Sequence, residues 1–178
     1  MASQPSTWVS RIIRAPRQTI YQAFVNHDAL VAWLPPAGLK GHVHAFDERM
    51  DGTYRMSLTY QEPRYTPRGK TSDHTDVVRG RFLALIPNER IVQQAEFESA
   101  DPAFAGTMTI TWSLADVPGG TEVTVLCENV PEGIREEDHR TGMTSTLENL
   151  ATFTEGRAEG RFPGQRGFNL TGNANDLR

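Results

Sequence analysis

Apolar and polar residues alternate with a period of two through much of the middle of the chain. In Thr53 to Tyr60, the residues Tyr54, Met56, Leu58 and Tyr60 interleave with Thr53, Arg55, Ser57 and Thr59. In Thr107 to Leu114, Met108, Ile110, Trp112 and Leu114 interleave with threonines and a serine, and Val123, Val125 and Cys127 repeat the pattern with Leu126 as an exception. Alternation of this kind predicts strands with one face on a core and the other in water. Asp76 to Ile86 and Arg90 to Glu98 read as two more strands around a Pro87-Asn88 turn, Pro118-Gly119-Gly120 as a hairpin turn, and Trp8 to Arg14 and His42 to Asp47 as further strands. The period changes near both ends. Pro16 starts a short helix with Ile20 and Phe24 on its apolar side, and a second short helix from about Asp28 to Trp33 stops at Pro35-Pro36. From about Arg135 to Glu155, Met143, Leu147, Leu150, Ala151 and Thr154 share one helical face, while Arg140, Thr144, Glu148 and Thr152 lie elsewhere. Consecutive strands joined by tight turns and closed by one long amphipathic helix predict an α+β fold with an antiparallel sheet. If that sheet curves around the helix, the space between them becomes a pocket.

With 178 residues the chain fits one domain, large enough to bury a core without disulfides or metals. Residues 1–155 form that domain in this reading, and residues 156–178 a glycine-rich C-terminal extension with little apolar material beyond Phe162, Phe168 and Leu170. The 18 basic residues against 22 acidic ones lack the surplus of a nucleic-acid binder, so no nucleic-acid partner is expected. A single cysteine, Cys127, permits no internal disulfide and reads as a small buried hydrophobe. Met1 to Thr7 has no signal-peptide core, and apolar stretches such as Phe82 to Ile86 are far too short to span a bilayer. These features predict a cytoplasmic protein with no membrane partner.

Three short motifs suggest chemistry that their context does not support. His42 and His44 are two apart on a strand and point the same way, but a metal needs a third ligand, which His74 and Asp76 supply only if the fold brings them close; no metal is assigned. Ser72, Asp73, His74 and Asp76 contain triad residue types, yet a triad is defined by geometry, and the segment reads as a turn or strand entry. Gly69-Lys70-Thr71 resembles the end of a phosphate-binding loop, but Arg64 stands where that loop needs glycine.

The order of elements resembles the helix-grip fold of the START-like, or SRPBCC, superfamily, which includes the birch-pollen allergens. The segments APRQTIYQAFVNHDALVAWLPPAGLKGHVHAFDERMDGTYRMSLTY, GKTSDHTDVVRGRFLALIPNERIVQQAEFES and ENVPEGIREEDHRTGMTSTLENLATF are similar to activator of heat-shock-protein-90 ATPase homologues. Trp33-Leu34-Pro35-Pro36, Gly52-Thr53-Tyr54 and Glu137-Asp138-His139 carry the most specific likeness, within about residues 8 to 155. The resemblance implies a seven-stranded curved sheet wrapped over the C-terminal helix, an internal cavity and, at family level, a homodimer. Members of the superfamily bind lipids, hormones or polyketides, and a few catalyse cyclisation. The eponymous eukaryotic co-chaperone carries a separate N-terminal domain for which this chain has no room.

On such a scaffold the candidate ligand-binding residues are Trp33, Tyr54, Met56, Tyr60, Phe97, Trp112, His139 and Met143, because aromatic bodies offer apolar contact and hydroxyls orient polar groups. Alternating apolar residues fill a core before they line a cavity, so fewer than about half are expected to meet a ligand. Arg135, His139 and Met143 share a helix side, and His139 is the candidate acid–base group; the competing reading is a histidine that ties the helix start to a loop. The leading expectation is a protein that encloses a small hydrophobic or amphipathic molecule between sheet and last helix. The alternatives are a cyclase-like enzyme on the same scaffold and a co-chaperone-like interaction module. No cofactor is assigned.

Overall fold

The computed structural model describes residues 5–61, 69–72 and 74–157. Among the described residues seven antiparallel strands form one sheet: β1 (Ser6–Ile13), β2 (Leu39–Phe46), β3 (Thr53–Tyr60), β4 (Thr75–Ile86), β5 (Arg90–Phe97), β6 (Met108–Val117) and β7 (Gly120–Glu128). Their order is β1-β7-β6-β5-β4-β3-β2, so the first two strands form opposite edges. Between them in sequence come α1 (Arg17–Val25) and α2 (His27–Trp33), and the fold closes with α3 (Glu136–Glu155). A 3-10 turn over Pro102–Phe104, with Asp101 capping it through Ala103 N–H, had no periodic signal in the sequence.

The alternation works as predicted. Cross-strand neighbours Tyr54 and Gly80, Ala95 and Met108, Ile110 and Cys127, and Val125 and Val9 fall on the inner face. The Leu126 exception has a reason: it pairs with the exposed Trp8, so an apolar strip continues over the outer face near the β1 edge. At the β6–β7 turn Gly119 has φ +86°, a conformation that suits glycine after Pro118.

Proline placement explains how the helices join. Pro35 and Pro36 prevent α2 from continuing, which leaves carbonyls without helical partners. Side chains of α3 satisfy them: Thr146 Oγ1 donates to Leu34 O and Asn149 Nδ2 to Pro35 O, both at 2.9 Å. Ser145 Oγ accepts from Ala37 N–H at 2.9 Å. The predicted face of α3, from Met143 through Thr154, is buried, and Arg140, Thr144, Glu148 and Thr152 are exposed. The core between helices and sheet contains Ile13, Ile20, Trp33, Ile91, Leu147 and Leu150, each at most 2% exposed.

Candidate functional site

Seven of the eight candidate residues divide into two groups at different places in the interior, and the eighth, Met143, packs in the core. Trp33, Tyr54, Met56 and Trp112 belong to the packed end beneath α1 and α2. Phe24 stands edge-on to Trp33 and Trp112, with ring centres 4.7 Å and 4.9 Å away, and Trp33 Nε1 donates to Ala23 O at 2.9 Å. The cavity these side chains line holds about 30 Å³, room for about one water rather than a ligand. Trp112 Nε1 is buried there without an acceptor among the described residues. Tyr54 lies across the backbone of Gly80, and its hydroxyl donates to Gln94 O at 3.3 Å. Burial drives its phenol well above the usual range.

Tyr60, Phe97 and His139 form the second group, around two residues that sequence reasoning did not select. The register that pairs Leu58 with Asp76 puts the Asp76 carboxylate on the inner face, in phase with Val78 and Phe82. Lys70, shortly before β4, lies over it. Lys70 N–H donates to Asp76 Oδ1 at 2.6 Å, Lys70 Nζ to Oδ2 at 3.0 Å, and Tyr60 Oη to Oδ2 at 3.3 Å. The Asp76 side chain is 4% exposed and that of Lys70 19%, so the ion pair is largely withdrawn from water. The Lys70 ammonium also stands 5.0 Å from the centre of the Phe97 ring and 5.8 Å from that of Phe104, within cation–π range.

His139 enters from the first turn of α3. The loop before that helix is held to the Phe104 turn by Gly133 N–H, which donates to Ala103 O at 2.7 Å; a side chain at Gly133 would meet Ala103 and Phe104. His139 Nδ1 is buried and has no hydrogen-bond partner among the described residues. Burial first, and the Lys70 charge second, lower its pKa and favour neutral imidazole. Burial, with the Asp76 charge and hydrogen bond behind it, pushes the Tyr60 phenol up to about 12. The cluster therefore combines an ammonium, a protonated phenol and a neutral imidazole beside two aromatic rings. Arg135, on the same side of α3 in sequence, is exposed and reaches Glu137 and Asp138 only at 3.9 Å. Met143, two turns inward from Arg135, packs in the core.

The other motifs resolve simply. Ser72 and His74 are exposed while Asp76 turns inward, so they share no centre; Asp73 lies outside the described residues, as do Phe162, Phe168 and Leu170. No group of three His, Cys, Asp or Glu among the described residues is arranged to hold a metal. No helix among them is long and apolar enough to cross a membrane.

The family model described as Activator of Hsp90 ATPase homolog 1-like protein matches residues 14–155, which include both groups. The chain belongs to this family. Among solved structures, a protein of Chromobacterium violaceum is 30% identical to this family member, with a TM-score of 0.75 over 84% of this chain and 96% of that one. A protein of Arthrobacter aurescens superposes with a TM-score of 0.70 over 91% and 92% of the two chains at 12% identity, a likeness of fold alone. A Mesorhizobium loti protein gives 0.64 at 20% identity, over 85% and 97%. No functionally curated protein matches the chain.

Proposed function

We propose that this protein binds a small amphipathic molecule at the end of the sheet–helix interface marked by Tyr60, Lys70, Asp76 and His139. The ligand's polar group meets the Lys70 ammonium and His139 Nδ1, and its apolar body lies against Phe97 and Phe104. The observation that carries this reading is the unpartnered buried nitrogen of His139 beside a withdrawn ion pair. Buried polar atoms without partners are uncommon in folded proteins, and leaving one costs about 1–3 kcal/mol. A ligand hydroxyl or carboxylic group would recover that cost on binding. Asp76 is already satisfied by three donors and acts as the anchor of Lys70 rather than as a ligand contact.

The test is native mass spectrometry of the purified protein, followed by denaturing extraction and identification of any retained molecule. Long-chain acids and alcohols serve as added probes, compared in wild type and in Lys70→Met and His139→Ala. Binding of a probe with one polar end, weakened in both variants, supports the reading. A purely polar retained molecule, or probe binding indifferent to both substitutions, overturns it.

A cyclase-like activity draws support from the same histidine, because a neutral imidazole can accept a proton from a bound substrate. Turnover lost in His139→Gln while probe binding persists would select that reading over simple binding.

A further inference from the structure

His42 and His44 project from the outer face of β2, away from the cluster just described and at an edge of the sheet that no other strand covers among the described residues. Both are exposed. In a regular strand, side chains two residues apart stand about 6.6 Å apart along the chain. Here the register shifts between Val43 and Ala45, and the bulge brings the two imidazole centres to 4.6 Å, with their planes at 76°. Bulges commonly re-aim side chains in this way.

We propose that His42 and His44 form a surface chelate for a divalent late transition-metal ion, copper(II) first. With a metal–nitrogen bond of about 2.0–2.1 Å, each ring centre stands about 3.2 Å from the ion. Two rings at a right angle across it are then about 4.5 Å apart, against about 5.2 Å at the tetrahedral angle. The observed 4.6 Å matches the right-angle arrangement of a tetragonal copper(II) or nickel(II) site. Copper(II) is also the strongest binder among the divalent first-row ions at nitrogen ligands.

The surroundings suit a ligand pair. His44 Nε2 lies 3.0 Å from Ser57 Oγ; in the metal-binding tautomer Nε2–H donates to that hydroxyl and leaves Nδ1 with the free electron pair. Ser57 is thus a positioning residue. Glu98 lies within electrostatic reach of His44, but Arg55 holds its carboxylate at 2.9–3.1 Å and Lys40 stands two residues before His42, so affinity rests on the two imidazole nitrogens rather than on local charge. Two imidazoles fill two coordination positions, and water or a soluble co-ligand occupies the rest. Once one ring binds, the other is already at high effective concentration, so both are required for useful affinity.

Copper(II) titrated into the full chain, followed by calorimetry and electron paramagnetic resonance, tests this. The expected result is one ion per chain with hyperfine splitting from two nitrogens. His42→Ala and His44→Ala should each weaken binding about tenfold or more, and Ser57→Ala by about tenfold. His27→Ala, at a separate exposed histidine, should change nothing. Circular dichroism checks the fold of each variant, and these exposed positions are expected to leave it intact. A double variant His42→Ala/His44→Ala that binds copper as well as wild type, or a spectrum from a single nitrogen, overturns the proposal.

Discussion

Removing the Asp76 carboxylate is the most informative perturbation of this molecule. In Asp76→Ala, the Lys70 backbone N–H, the Lys70 ammonium and the Tyr60 hydroxyl lose one shared acceptor. Breaking a buried ion pair by deleting one partner costs about 3–5 kcal/mol, because the other charge stays buried and unpaired. Lys70 keeps 19% of its side chain in contact with water and can extend towards it, so the lower end of that range, about 3 kcal/mol, is expected. For a chain of this length that corresponds to a melting temperature lower by about 6–12 °C. Asp76→Asn keeps an acceptor for the Lys70 N–H and should lose less, about 1–2 kcal/mol. Urea unfolding of the three proteins measures these differences. A second readout separates the electrostatic role from simple packing. Alkaline titration followed by ultraviolet absorbance, with Tyr60→Phe as the reference, should show Tyr60 near 12 in wild type and lower in Asp76→Ala, since the carboxylate charge and hydrogen bond are gone and only burial remains. A stability loss below about 1 kcal/mol, together with an unmoved Tyr60, would refute the account of Asp76 as the anchor of the cluster.

Three further outcomes follow from the same structure. His139 has a lowered pKa in the folded state, so the unfolded chain binds the extra proton first; the contribution of this residue is fully present above pH 6.5 and declines as pH falls through the folded value. Unfolding experiments from pH 7 to 5 should show that decline in wild type and a shallower one in His139→Gln, and equal slopes would remove His139 as its source. Gly80→Ala places a methyl group against the Tyr54 phenol and the Gln94 carbonyl, and is expected to cost about 1–3 kcal/mol in urea unfolding; unchanged stability would mean that Tyr54 does not lie across this position. Burial pushes the Cys127 thiol up to about 12, so a disulfide reagent at pH 8 should label it only after unfolding, and rapid labelling of the native protein would contradict its burial.

Much of the architecture is written in local periodicity. The period-two runs from Thr53, Thr107 and Val123, and the stretches from Asp76 and Arg90, fall on strands to within a residue, because a side chain in a strand has only two faces to choose between. Asp76 was legible too: its phase matches Val78 and Phe82, and a carboxylate on the apolar face of a strand signals a buried partner. Lys70 carried no such sign, since its position depends on how a connection between two strands folds back. The spacing of His42 and His44 predicted a shared face, but not a bulge that narrows their separation to 4.6 Å.

Local periodicity was enough for the strands and helices, their order and the inward faces of β3, β6, β7, α1 and α3, because these depend on patterns spanning at most a few turns, and the family followed from a likeness running along residues 8 to 155. Long-range packing, by contrast, sorts the inward residues into those closed up in the core and those gathered around the buried Lys70–Asp76 pair. Trp33, Tyr54 and Trp112 look as suited to a ligand as Tyr60 and Phe97 in one dimension. Only the packing of α1 and α2 closes the space around the first three to about 30 Å³. Only the convergence of three separate segments, at Lys70, Asp76 and His139, leaves a buried imidazole nitrogen without a partner beside a charge. His139 lies more than sixty positions from Lys70 and Asp76, a separation at which no local pattern records who the neighbour will be.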